Sequence, residues 1–265
     1  MEKNGIIEQV REEVFPSGKA AEKPLGKYCD HTVLRAYTTR ETVKQFCEEA
    51  VRCGAASVCV NPVHVAYVHE LLRGTGLYTC TVIGFPLGAN RSCVKAMEAA
   101  LAVEDGADEV DMVMNIGALR EKDYELVRRD IAGVVAAAAG RAKVKVIIET
   151  CYLTDREIVA ASLLCQQAGA DYVKTSTGFG TDGARERDVR LIRQTVGDTM
   201  KIKASTNINT REDAERMIAA GADRLGTSRT PQIVTGTPRP IPRRWRTSPQ
   251  SRTAEFVKVF CKGVV

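Results

Sequence analysis

Three charged residues stand inside stretches that otherwise read as buried strands: Asp111 in EVDMVMN, Lys174 in DYVKTST and Lys203 in KIKAS. Strands of a parallel sheet are normally apolar on both faces. An unpaired buried ammonium is costly enough to move its pKa by several units. Any one of these residues is explained by snorkelling or by pairing with an acid at the strand end. Two lysines and an aspartate directed into one place are better explained as a reactive group, and the chemistry they suit is Schiff-base formation. A lysine amine attacks a carbonyl carbon only when neutral, and a free pKa of about 10.4 leaves it protonated at pH 7. A second ammonium and partial burial lower that value. A carboxylate can then carry protons while a carbinolamine dehydrates and a C–C bond breaks. Residue types alone leave open which lysine is the nucleophile.

The elements that must position these groups follow from a repeat. Gly54-Ala-Ala precedes SVCV, Gly106-Ala-Asp precedes EVDMVM, Gly169-Ala-Asp precedes YVKTS and Gly221-Ala-Asp precedes RLGTS. Each time an Ala-rich, helix-like stretch ends at Gly, the usual left-handed helix stop, and an apolar strand follows. The glycines lie 52, 63 and 52 residues apart, the length of two βα units. The intervening strands are CTVIGF at 80–85, VKVIIE at 144–149 and KIKAS at 201–205. With a first strand at 28–34 there are eight, which predicts a (β/α)₈ TIM barrel over 25–228 in preference to an open doubly wound sheet. Capping boxes are expected at Thr38/Glu41, Thr154/Glu157 and Asn209/Glu212.

The chain has 265 residues, 44% hydrophobic and 27% charged, with nine cysteines. That composition is of a globular protein, with no stretch apolar enough to span a membrane and no apolar leader at its start. Unpaired cysteines fit reduced thiols and a cytoplasmic setting. The formal charge of +5 is uneven: residues 229–252 hold six arginines and no acid and residues 253–265 add one net positive charge, so residues 1–228 carry −2. The tail at 229–265 also holds five of the nine prolines and the lone Trp245. It is read as a solvated, atypical Pro/Arg-rich segment, not a nucleic-acid-binding arm. Residues 1–24 are expected to be an N-terminal extension or helix.

The chain resembles the deoxyribose-phosphate aldolases, class I aldolases on a (β/α)₈ barrel. The resemblance rests on DHTVL at 30–34, SVCVNP at 57–62, TVIGFPLG at 81–88, EVDMVMN at 109–115, KTSTGF at 174–179, KAS at 203–205 and GADRLGTS at 221–228, in family order. It implies reversible cleavage of 2-deoxy-D-ribose 5-phosphate to acetaldehyde and D-glyceraldehyde 3-phosphate, in deoxyribonucleoside breakdown. It makes Lys174 the Schiff-base nucleophile, Lys203 the cation that lowers its pKa and Asp111 the proton carrier. No metal and no organic cofactor is implied. Asp30, Thr32 and Cys59 fall at positions like those lining the family's pocket. Thr177 and Gly178, Ser205, Thr206 and Asn207, and Gly226, Ser228 and Arg229 are expected to complete substrate binding in the loops after strands six, seven and eight. A homodimer is also implied.

The departures from the family cluster at its phosphate end. The seventh strand normally resembles K-A-[SA]-G-G-I, and here Thr206 and Asn207 occupy both glycine positions. After Ser228 comes Arg229-Thr230-Pro231 and then a Pro/Arg stretch that cannot continue as a helix, so an irregular segment is expected in place of the last helix. Weakened phosphate recognition follows, partly offset by Arg229. The rival reading is a catalytically impaired aldolase-like protein that works by binding a partner. Gly178-Phe-Gly180-Thr-Asp-Gly183 mimics a dinucleotide fingerprint, but it follows the sixth strand rather than opening a first βαβ unit. His31, His64 and His69 lack zinc-ligand spacing, and His31 is read as structural.

Overall fold

The computed structural model describes residues 20–237. The greater part of the expected N-terminal extension and the Pro/Arg stretch from 238 onward, Trp245 included, lie outside the described residues.

Eight parallel strands close on themselves in sequence order. They are β1 (Cys29–Val33), β2 (Ser57–Val60), β3 (Tyr78–Ile83), β4 (Glu109–Val113), β5 (Lys143–Ile147), β6 (Tyr172–Lys174), β7 (Lys201–Ser205) and β8 (Arg224–Thr227). Between β1 and β5 lie α1 (Arg40–Arg52), α2 (Val65–Leu72), α3 (Ser92–Glu104), α4 (Ile116–Arg120) and α5 (Tyr124–Ala138). After β5 come α6 (Asp155–Gln167), α7 (Glu186–Val196), α8 (Arg211–Ala219) and α9 (Thr230–Thr235). Closure is made by β1 on β8, with Asp30 opposite Gly226. The expected barrel is therefore the observed one. Among the described residues no helix is long and apolar enough to cross a membrane.

Side chains alternate across a strand, and that alternation sorts this sequence into two cores. Val110, Met112, Val144, Val146, Val173, Ile202, Ala204 and Leu225 face the helices and are buried in the main apolar cluster. The opposite face lines the barrel interior, where only Cys59, Cys80 and Val82 form an apolar group, with Leu34 and Phe85 against it. Seven charged side chains share that interior: Asp30, Glu109, Asp111, Lys145, Lys174, Lys203 and Arg224.

The glycines of the repeat all have positive φ, from +59° at Gly54 to +112° at Gly221, so each helix-to-strand turn uses the conformation only glycine adopts freely. Capping follows the expected chemistry with two one-residue shifts. The Thr154/Glu157 box forms reciprocally. Thr39 rather than Thr38 caps α1, because Thr38 turns back to donate to the Arg35 carbonyl. Thr210 and Asp213, rather than Asn209 and Glu212, form the box of α8.

The chain beyond β8 is not irregular from residue 229. Pro231 sits in the first turn of α9, where its missing N–H is no loss, and Gly236 ends the helix in the left-handed region. This short helix is tied down by Thr230 Oγ1 against His31 Nδ1 at 3.0 Å and by Arg211, which donates to the Val234 carbonyl at 2.5 Å. His31 is fully buried, stacks on Phe46 with centroids 4.5 Å apart and meets Glu49 at 3.2 Å. Its contacts are those of a structural histidine joining β1, α1 and α9.

Candidate active site

The charged residues of the barrel interior form one connected group. Asp111 on β4 is fully buried, and its Oδ2 accepts from Lys174 Nζ at 2.8 Å and Lys203 Nζ at 2.7 Å. Its Oδ1 accepts from Lys145 Nζ at 2.9 Å. Lys203 also meets Asp30 at 2.5 Å. Lys145 reaches Glu109 at 2.6 Å and lies 3.7 Å from Asp30. Arg224 closes the circuit by pairing with Asp30 at 2.5 Å and Glu109 at 3.0 Å. Register makes these meetings inevitable, because Asp111 lies opposite Lys145, Lys174 opposite Lys203, and Lys203 opposite Arg224.

Four basic side chains thus face three carboxylates. Lys145, Lys203 and Arg224 each touch at least two acids, whereas Lys174 touches Asp111 alone. Burial would raise the Asp111 carboxyl, but Lys145, Lys174 and Lys203 outweigh it and hold it well below its ordinary value. Burial likewise works against charge on Lys145 and Lys203, and the surrounding carboxylates overcome it, raising both ammonium groups above their usual range. Two sets of ligand-type side chains, Cys59/Cys80/Asp111 and Asp30/Cys80/Glu109, also converge here. Every carboxylate in them already accepts from a lysine or arginine.

A cavity of about 520 Å³ opens at the C-terminal ends of the strands. Lys174 reaches its lining and is 3% exposed; Asp111, Lys203, Lys145 and Arg224 lie beneath it. Of the expected binding residues, Thr32, Thr177, Gly178, Ser205, Thr206, Asn207, Gly226 and Ser228 line the cavity. Asp30, Cys59 and Arg229 do not. Asp30 is buried under the floor on Lys203 and Arg224, and Cys59 belongs to the inner apolar group. Arg229 is the N-cap residue of α9, and its backbone amide donates to Thr227 Oγ1. Gly226 has a packing role as well, since a Cβ there would come within 2.6 Å of Ser205 Cβ and 3.1 Å of Lys203 Cε.

The glycine-rich loop after β6 packs as a wall rather than a phosphate cradle for a dinucleotide. A Cβ on Gly178 would meet Thr206 Oγ1 at 2.9 Å, and one on Gly183 would meet Thr206 Cβ at 2.8 Å and Asn207 Cγ at 2.9 Å. Thr206 and Asn207 themselves keep the glycine conformation, with φ of 72° and 63°. For a β-branched residue that is a strained backbone. Asn207 is steadied by donating to Asp182 at 2.8 Å.

Residue-by-residue reading missed Lys145, Glu109, Arg224, Arg35 and Glu149. The first three had a signal: Glu109 and Arg224 stand two residues before Asp111 and Gly226, on the same strand faces, and Lys145 alternates with valines. Arg35 lines the cavity from the loop after β1, and nothing in its spacing announces that.

Fold and cavity together place a lysine amine at the C-terminal mouth of a (β/α)₈ barrel, the end at which enzymes of this fold carry their active sites. The profile described as DeoC/LacD family aldolase matches residues 25–228. The deoxyribose-phosphate aldolase of Clostridium novyi (strain NT) is 54% identical over 213 residues, covering 80% of this chain and 96% of that relative. The enzyme of the same name from Thermococcus kodakarensis is 53% identical over 219 residues, covering 82% and 98%. The solved structure of a tetrameric deoxyribose phosphate aldolase from Aeropyrum pernix superposes with a TM-score of 0.75 at 34% identity, covering 80% of this chain and 90% of that one. The chain belongs to the DeoC/LacD aldolase family.

Proposed function

We propose that this chain reversibly cleaves 2-deoxy-D-ribose 5-phosphate to acetaldehyde and D-glyceraldehyde 3-phosphate through a Schiff base on Lys174, in the cytoplasmic breakdown of deoxyribonucleosides. The observation that carries the reading is the charge count. Four basic groups face three acids, and the lysine with a single acid partner is the one that reaches the cavity. The neutral form of Lys174, at the edge of this group, is the nucleophile. That amine adds to C1 of the open-chain sugar, and the carbinolamine loses water to give an iminium ion. Removal of the C3 hydroxyl proton then breaks the C2–C3 bond, releasing glyceraldehyde 3-phosphate, with the electron pair drawn into the iminium as an enamine. Protonation at C2 and hydrolysis release acetaldehyde and restore the amine. Asp111, touching both Lys174 and Lys203, is placed to pass protons between the amine and the reacting atoms.

The phosphate end belongs with Gly178, Thr206, Asn207 and Ser228, where two side chains crowd a backbone of glycine type. Thr206→Gly is expected to lower KM for the phosphorylated sugar about threefold to tenfold with kcat unchanged, since tenfold is about 1.4 kcal/mol. KM for unphosphorylated 2-deoxyribose should stay the same, so steady-state kinetics on both sugars reads the effect. Equal changes on the two sugars would show that the glycine conformation is not used for phosphate. A homodimer completes the proposal, and sedimentation velocity separates it from the tetramer reported for Aeropyrum pernix.

The test of the main reading is direct. The full chain should release glyceraldehyde 3-phosphate from 2-deoxyribose 5-phosphate, and acetaldehyde with borohydride should attach one ethyl group at Lys174. A protein that neither turns over nor traps acetaldehyde is not this enzyme.

A further inference from the structure

Six acids are buried among the described residues: Asp30, Glu109, Asp111, Asp130, Glu149 and Asp188. Five of them pair with a lysine or arginine. Glu149, 1% exposed and two residues past the end of β5, pairs with none of the described basic residues. A buried carboxylate without a cation is expensive unless its oxygens are hydrogen-bonded. Those of Glu149 are engaged almost wholly by one residue of the next loop. The Thr177 amide donates to Oε1 at 3.2 Å and to Oε2 at 3.3 Å, and the Thr177 hydroxyl donates to Oε2. Cys151 Sγ adds a long contact at 3.8 Å. Glu149 holds this position with φ of 55°, a conformation unfavourable for a non-glycine residue.

The loop is pinned from here outward. Phe179 N donates to the Thr177 hydroxyl at 3.0 Å, so that hydroxyl is both donor and acceptor. Gly180 lies so close that a Cβ would sit 3.3 Å from Glu149 Oε1. On its far side the same loop packs through Gly178 and Gly183 against Thr206. The β6 loop is therefore clamped between Glu149 and the β7 loop, and it supplies Thr177, Gly178 and Phe179 to the cavity lining.

We infer that Glu149 is a positioning residue for substrate specificity: through Thr177 it fixes the cavity wall that takes the end of the sugar remote from the carbonyl. The inference rests on the assignment of Lys174 as the amine of the site. Glu149 touches neither Lys174 nor the cavity, so its loss should be felt by a long substrate and not by a short one.

Glu149→Gln keeps the shape but brings an amide N–H₂ against the Thr177 donors. KM for 2-deoxyribose 5-phosphate is expected to rise about tenfold or more, the equivalent of one hydrogen bond to a charged group. Acetaldehyde trapping at Lys174 should keep its rate, and kcat should change far less than KM. A merely structural role would lower the melting temperature and leave KM alone, and that result overturns the inference. So does a parallel fall in trapping and turnover, which would place Glu149 at the amine itself. Should Glu149→Gln fail to fold, Glu149→Asp, which keeps the charge but draws the carboxylate back from Thr177, must give the same selective rise in KM; an unchanged KM there also overturns it. If the wild-type chain does not cleave the sugar at all, the functional reading falls separately. The clamp is then read by amide hydrogen exchange at Thr177, which Glu149→Gln should accelerate about tenfold, and equal rates overturn it.

Discussion

Lys174→Met is expected to fold normally and to lose turnover by more than about 10⁴-fold, the scale on which an enzyme depends on its covalent nucleophile. Stability should survive because of the charge count. Removing Lys174 leaves Lys145, Lys203 and Arg224 facing Asp30, Glu109 and Asp111, and Asp111 keeps two lysine partners at 2.9 and 2.7 Å. Met also fills nearly the same volume as the lysine stem. The melting temperature should therefore move by no more than a few degrees, and acetaldehyde with borohydride should no longer label the protein. Lys203→Met is the informative contrast. It removes a cation held by both Asp111 and Asp30 and leaves Lys174 and Lys145 as the lysines on Asp111. Turnover should fall strongly, yet acetaldehyde with borohydride should still label Lys174, whereas Lys174→Met should not be labelled at all. Trapping at a lysine other than 174 would reverse the assignment of nucleophile and neighbour.

How much of this was legible beforehand depended on whether a feature is local. The helix-to-strand glycines at 54, 106, 169 and 221 mark a conformation that few other residues tolerate, so the eight-strand count could be read from them. Caps were legible to within one residue, because Thr38/Thr39 and Asn209/Thr210 offer adjacent side chains of similar capping ability. Which one caps depends on whether the other is drawn elsewhere, as Thr38 is to the Arg35 carbonyl.

The interior network was half legible. Asp111, Lys174 and Lys203 stand out as charges among apolar neighbours. Lys145 was hidden by following another lysine in KVKVI, and Arg224 by sitting at the first position of its strand. Their partnership with Asp30 and Glu109 depends on strand register across the closed barrel, which no local pattern encodes. The same holds for Asp30 and Cys59, which resemblance places in the pocket and which register places beneath it. Thr206 and Asn207 show the opposite case. The substitution of two glycine positions was plain in the sequence, but not that the backbone would keep positive φ at both.

Asp111→Asn is expected to be the most destabilising single change in the barrel. The side chain is 0% exposed and accepts from Lys145, Lys174 and Lys203. Without its charge, four basic groups face two acids in a dry interior, and breaking a buried ion pair from one side costs about 3–5 kcal/mol. For a domain of this size that is a fall of about 10 °C in melting temperature, which calorimetry or thermal fluorescence would register. The pH dependence identifies the cause. In the wild type the Asp111 carboxyl is held below its ordinary value, so its contribution is complete above about pH 4 and fades only as pH falls through its lower native value. Lys145 and Lys203 are raised, so their contributions are complete below about pH 10 and fade only as pH rises through their higher native values. Asp111, Lys145 and Lys203 should thus make a nearly constant contribution in the wild type between those limits. In Asp111→Asn the lysines are repelled by one another, so a native lysine gives up its proton before an unfolded one does. The unfolded state then binds more protons, and stability rises with pH. The gap between variant and wild type should therefore narrow from pH 6 to pH 9. A gap that stays constant over that range would mean that the cost is one of packing, and that the lysines of this barrel do not depend on Asp111 for their charge.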